Sequence, residues 1–163
     1  MGLQITDIVP KKEIEISDLK GKMIAVDAFN VIYQFLSTIR QPDGTPLQDS
    51  KGRITSHLSG LFYRNINLLQ EGMKLIYVFD GKPPALKKAT HEMRQESKDE
   101  AQEKYEQAKD EEDVEAMGKY ARQIVHLDKQ KVLESKELLT AMGIAVIDAP
   151  AEGEAQASYI AKK

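Results

Sequence analysis

The sequence predicts an α/β domain in which helices flank a largely parallel sheet. Three short apolar runs carry this reading: Lys22–Asp27 (KMIAVD), Lys74–Asp80 (KLIYVFD) and Ile144–Asp148 (IAVID). Each is continuous rather than alternating, as strands covered on both faces are. The stretches between them carry helical rather than strand periodicity, so strands and helices alternate along the chain.

After the first run, NVIYQFLSTIR reads as a helix, and QPDGTPLQDSKGR is rich in the residues that make turns, enough for a small hairpin. The next segment, ITSHLSGLFYRNINLLQEG, repeats apolar residues at helical spacing through Ile54, Leu58, Leu61, Phe62, Leu68 and Leu69. These six are the expected buried stripe. The second strand follows. From Lys87 to Gly118 large apolar residues become scarce, and Ala, Glu, Lys and Gln dominate. A solvated helix and a linker are both open readings of that composition. Asp113 is a candidate N-cap for a helix running toward Val125, and Asp128 for one ending at Gly143, a C-cap glycine. The charged segment has no broad apolar face, so it is expected to project from the sheet as two helices.

At 163 residues, with 41% apolar and 30% charged residues, the chain is the size and make-up of one globular domain. No apolar run approaches the roughly 18 to 20 residues of a membrane span, and the first residues lack the apolar core of a secretory signal. Cysteine is absent, which removes disulfides, zinc–thiolate sites and thiol nucleophiles. An intracellular location and no membrane partner are the corresponding expectations. The net charge of −3 is unevenly spread. Residues 95–115 hold 10 Asp/Glu against 3 Lys/Arg, whereas residues 1–94 hold 13 Lys/Arg against 10 Asp/Glu. Acidity is thus concentrated in one short segment, and the balance does not exclude DNA.

All three strands end in aspartate, Asp27, Asp80 and Asp148, and Glu152 and Glu154 follow the third. In open α/β sheets ligands gather beyond the carboxyl ends of the strands. Carboxylates crowded there repel one another unless a cation is present. An all-oxygen donor set suits Mg²⁺, with Mn²⁺ as a substitute, and two such ions are the usual apparatus of phosphodiester hydrolysis. Glu152 and Glu154 are two apart, which separates side chains inside a helix. If the helix starts near Glu152, the first Glu lies at the junction and both can face one site. The alternative is that they merely complement the helix N-terminus.

Lys87 and Arg94 are seven apart, two helical turns, and share a face suited to holding a scissile phosphate. Ordinary surface bases remain the alternative. Tyr33 suits either stacking on a base or core packing. Arg40 and Arg64 are candidate phosphate contacts, and His57, His91 and His126 form no recognisable ligand spacing.

Longer motifs add a resemblance. The stretches DAFNVIYQFL, RQPDGTPLQDSKGRITSHLSGLFYR, YVFDGKPPALK and LLTAMGI running into DAPAEGEAQA resemble the flap endonucleases of the archaeal and eukaryotic type, across essentially the whole chain. The resemblance implies a 5′ nuclease (PIN-like) fold and metal ligation by Asp27, Asp80, Glu152 and Glu154. It implies catalytic engagement of the scissile phosphate by Lys87 and Arg94. DNA contact is implied for these two and for Gly2, Tyr33, Arg40, Arg64 and Glu152. The segment from about Lys87 to Val125 corresponds, by the same resemblance, to a helical arch through which a 5′ single-stranded flap passes.

The expected organisation is therefore an N-terminal nuclease region at 1–98, a charged arch segment at 99–115, and the start of an internal nuclease region at 116–163, together one domain. The chain is expected to be the N-terminal part of a longer enzyme, lacking further metal ligands and a C-terminal motif for a sliding clamp. The expected activity is two-metal, Mg²⁺-dependent cleavage at 5′ flap/duplex junctions in replication and repair, with 5′-3′ exonuclease activity. Expected locations are cytoplasm or nucleoid in an archaeon and nucleus in a eukaryote. Two rivals stand beside it: a small-molecule phosphohydrolase, and a fragment that binds DNA or a partner without cutting.

Overall fold

A computed structural model describes residues 12–81 and 88–162, with the side chains of 88–95 outside the described set. After a short 3-10 turn at Ile16–Leu19 come β1 (Met23–Asp27), α1 (Ala28–Thr38), α2 (Ser56–Gln70), β2 (Lys74–Phe79), α3 (Lys88–Asp110), α4 (Val114–Ala121), α5 (Lys129–Ala141), β3 (Ala145–Asp148) and α6 (Gly153–Ala161). The strands form one parallel sheet in the order β1-β2-β3. The α/β expectation and its three strands hold.

Helix starts follow the sequence closely. Asp27, Asp113 and Asp128 each cap a helix, accepting hydrogen bonds from the backbone N–H groups of Asn30, Ala116 and Lys131. The turn-rich linker forms a small antiparallel hairpin, with bridges Arg40–Pro46 and Gln48–Ile54.

The apolar stripe expected on α2 is corrected. Leu61 is fully buried, but Phe62 and Leu69 are exposed, and the buried positions are Ser56, His57, Gly60, Leu61 and Asn65. The reason is that α2 is packed on two sides, against α1 and against α5, so its covered surface includes small and polar positions. A second difference concerns the helix expected to reach Val125. It ends at Ala121, and Val125 enters the core from an irregular segment.

Sheet parity sets the position of everything that follows, because successive strand residues face opposite sides. Leu75, Tyr77 and Phe79 of β2 join the main core with Ile32 and Leu36 of α1, Leu61 of α2 and Leu139 of α5. The Tyr77 hydroxyl donates to Asn65 Oδ1 of α2 at 2.9 Å. The opposite face of β2 carries Ile76 and the fully buried Val78, and α6 packs on β1 and β2 there. Strand partners in a parallel sheet share a face, so Asp27, paired with Val78, lies on the α6 side. Asp148 pairs with Phe79 and lies on the other.

The charged segment forms two helices, α3 and α4, packed along each other. Their approach uses small residues, with Ala101 and Ala108 buried on α3 and Gly118 and Ala121 on α4. A helix pair with so little apolar surface holds together by close backbone approach rather than by a broad hydrophobic stripe.

Candidate functional site

The site is built where the chain leaves β2 and β3. Past the end of β3 the pairing continues, with the Ala149 N–H donating to the Phe79 carbonyl at 2.8 Å and the Gly81 N–H to the Ala151 carbonyl at 2.7 Å. The two backbones are so close that a Cβ at Gly81 would lie 2.2 Å from the Ala149 oxygen. Asp80 is held between these contacts, two residues beyond Val78 and in line with the α6 face. Its Oδ1 accepts a hydrogen bond from the Gly153 N–H, the first residue of α6, at 2.5 Å.

This contact explains the order Glu152-Gly153-Glu154. The helix N-terminus offers unpaired N–H groups to a carboxylate, and Asp80 takes one of them from across the chain. A Cβ at 153 would come within 2.6 Å of the same oxygen, so glycine separates the two glutamates. Glu152 has extended backbone, φ −81° and ψ 130°, whereas Glu154 is inside the first turn. Helix-interior geometry therefore does not apply to this pair. Asp27 lies on the same sheet face, with Oδ1 accepting from the Asn30 N–H at 3.0 Å. An edge-to-face contact between Phe29 and Phe79, centroids 5.9 Å apart, packs the residues that follow Asp27 and precede Asp80.

Asp148 does not join them. On the opposite face it forms a 2.5 Å ion pair with Lys136 of α5, whose Nζ also sits 4.9 Å from the Phe79 ring centroid. Three aspartates end the strands, but only two share the α6 side.

The donor chemistry of Asp27, Asp80, Glu152 and Glu154 fits a hard divalent cation, being all carboxylate oxygen. Among the described residues no Lys or Arg forms an ion pair with Asp27, Asp80 or Glu154. Among the same residues no three acidic or histidine side chains are gathered closely enough to hold an ion. The structure brings Asp80 to the Glu152–Glu154 turn and Asp27 to the same face, and it does not close them into a cluster.

The other predicted residues are distributed as follows. Tyr33 on α1 is 39% exposed, so it is not a core residue, and the ammonium of Lys98 from α3 lies 5.9 Å from its ring centroid. Arg64 is exposed on α2. Arg40 is half-buried, and its guanidinium donates to the carbonyls of Leu36, Gly44 and Ile124. Burial lowers its pKa from the ordinary value, partly opposed by Tyr105. Gly2 and Lys87 lie outside the described residues, and Arg94 falls within α3 with its side chain outside them. Sequence reasoning passed over Gly81 and read Gly153 only as a break in the strand, with no role at the site. The signal was present in an acidic pair split by glycine at a helix start.

A profile of the XPG N-terminal domain matches residues 3–101. The chain belongs to this family. The chain is 56% identical over 163 residues to flap endonuclease 1 of Pyrococcus furiosus, covering the whole chain and 48% of that relative. It is 54% identical over 162 residues to flap endonuclease 1 of Saccharolobus solfataricus, covering 98% of the chain and 46% of that protein. Among solved structures, flap endonuclease-1 from Methanococcus jannaschii superposes with a TM-score of 0.69 at 48% identity, over 99% of this chain and 51% of that one. The catalytic core of Rad2 in complex with DNA substrate gives 0.62 at 28% identity, over 93% and 37%. The fold is therefore that of these 5′ nucleases, and the XPG N-terminal domain chain spans about half the length of the relatives it matches.

Proposed function

We propose that this chain supplies the N-terminal part of a structure-specific DNA nuclease that hydrolyses a phosphodiester at the junction of a 5′ flap with duplex DNA. The observation that carries the reading is the Asp80–Gly153 contact. It sets one strand-end carboxylate against the Glu152–Glu154 turn, on the face that also holds Asp27, in a chain alike over its whole length to flap endonucleases. Asp27, Asp80, Glu152 and Glu154 would hold Mg²⁺, or Mn²⁺ in its place. When bound, such ions supply an activated water and neutralise developing charge on the phosphate.

The chain's own residues supply the rest. Lys87 and Arg94 hold the scissile phosphate and offset its charge in the transition state. Tyr33, partly exposed on α1, offers a ring face for a base, and Arg64 an exposed phosphate contact. Glu152 is a further DNA contact of this reading, as is Gly2, which lies outside the described residues. The α3–α4 pair bounds the route of the single strand. Replication and repair intermediates carrying 5′ flaps are the substrates of this reading, with 5′-3′ exonuclease action at a nick and a sliding clamp as partner. It places the protein inside the cell, where DNA is processed.

A chain that binds DNA without cutting it is the alternative reading, since among the described residues the carboxylates do not form a closed cluster. The test uses the full-length protein with flapped DNA and Mg²⁺. Asp80→Ala is expected to abolish cleavage while DNA binding persists. Cleavage of a small phosphate ester but not of DNA would replace this reading with that of a small-molecule phosphohydrolase.

A further inference from the structure

From the geometry around the end of α1, we infer that Arg40 is a positioning residue that pins the α3–α4 pair to the helix carrying Tyr33. Its guanidinium reaches three separate segments. Nε donates to the Leu36 carbonyl in the last turn of α1 at 2.8 Å, Nη1 to Gly44 in the hairpin turn at 2.8 Å, and Nη2 to Ile124 after α4 at 3.3 Å. Among the described residues no carboxylate pairs with it. A guanidinium fork spreads its donors over three nitrogens at fixed positions and so reaches three diverging carbonyls, whereas an ammonium gathers its three donors on one nitrogen.

Two further contacts make the same seam. Ser37 Oγ of α1 donates to the Arg122 carbonyl at 3.0 Å, so two side chains from one helix end grip residues 122–124. The hairpin turn meets α4 through bare backbone. A Cβ at Gly44 would lie 2.5 Å from the Ala121 Cβ, and one at Gly118 would lie 2.9 Å from the Pro42 oxygen. The contacts of α3 run mainly along α4, and its Tyr105 lines a shallow cavity with Arg40 and Ala121. The position of the helix pair therefore depends on this seam at the foot of α4. The inference does not rest on the nuclease reading, because its test is a distance within the chain.

The chain has no cysteine, so two can be introduced for spin labelling without interference. Labels at Gln34→Cys on α1 and Glu115→Cys on α4, both exposed positions, report the separation of the two helices. With Arg40 intact, one narrow distance distribution is expected. Arg40→Ala and Arg40→Lys are both expected to shift or broaden it, and Ser37→Ala to broaden it less. A lysine that restored the native distribution would show that charge alone suffices and would overturn the inference. Unchanged distributions in all three variants would also overturn it. If Arg40→Ala does not fold, Arg40→Lys and Ser37→Ala decide the matter.

Discussion

The Asp80 carboxylate accepts the Gly153 N–H at 2.5 Å, and no side chain fits at 153 without displacing it. One residue type thus couples the end of β2 to the start of α6. Gly153→Ala forces the carboxylate away, losing a charge-assisted bond of about 1.5–3 kcal/mol, against about 0.5–1 kcal/mol regained because alanine favours a helix. A net loss of about 1 kcal/mol in urea unfolding of this chain is expected. In the full-length protein the same variant is expected to lose most cleavage, since Asp80 has moved.

Gly81→Ala is the contrasting case. The added methyl would meet backbone, the Ala149 oxygen at 2.2 Å and Pro150 beside it, which cannot swing aside. A loss of about 3 kcal/mol is expected, at the upper end of what overpacking costs. Equal effects of the two substitutions in the same titration would contradict the assignment of the clashes.

Glu112 holds a positive φ of 56° between α3 and α4. The bonds there, Asp113 N–H to the Ala108 carbonyl and Glu112 N–H to Lys109, repeat the pattern that ends α2 and α5. Those helices end with Gly72 and Gly143 at the equivalent position, φ 79° and 74°. Glu112→Gly is expected to stabilise the chain by about 0.5–1 kcal/mol, because glycine adopts this conformation without steric cost. A lowered melting temperature would argue against it.

His57 is fully buried on α2, with Nε2 3.3 Å from a Glu134 carboxylate oxygen of α5. Burial lowers the ring's pKa more than that carboxylate raises it. The folded pKa thus lies below the unfolded value of about 6.5, so the unfolded chain binds the extra proton first. The stability held by neutral His57 is present above that pH and is lost as pH falls through the folded value. Urea midpoints between neutral and mildly acid pH are expected to fall more steeply in the native chain than in His57→Gln. Parallel slopes would remove His57 as the cause.

Much of this was legible before the structure. Continuous apolar runs marked the strands, because both faces of a parallel sheet are covered, and the aspartate caps marked helix starts through their short side chains. What misled was the count of strand-ending aspartates. Sequence shows that Asp27, Asp80 and Asp148 each end a run, but only the register shows that Asp148 faces α5 and Lys136. The α2 stripe failed for a related reason: a helix packed on two sides buries Ser56, His57 and Asn65, which no one-sided apolar pattern marks. The role of Gly153 depends on Asp80, 73 residues away, and only chain folding brings the two together.

The distinction between the strand-end aspartates gives the most direct test of the proposed site. Cleavage of 5′-flapped DNA by the full-length protein with Mg²⁺ is measured for Asp80→Asn and Asp148→Asn. Asp80→Asn keeps an oxygen to accept the Gly153 N–H but loses the charge, and it is expected to bind DNA without cutting it. Asp148→Asn gives up only an exposed ion pair, worth about 0–1 kcal/mol, and is expected to cut normally. Normal cutting by Asp80→Asn, or its loss in Asp148→Asn alone, would contradict the account.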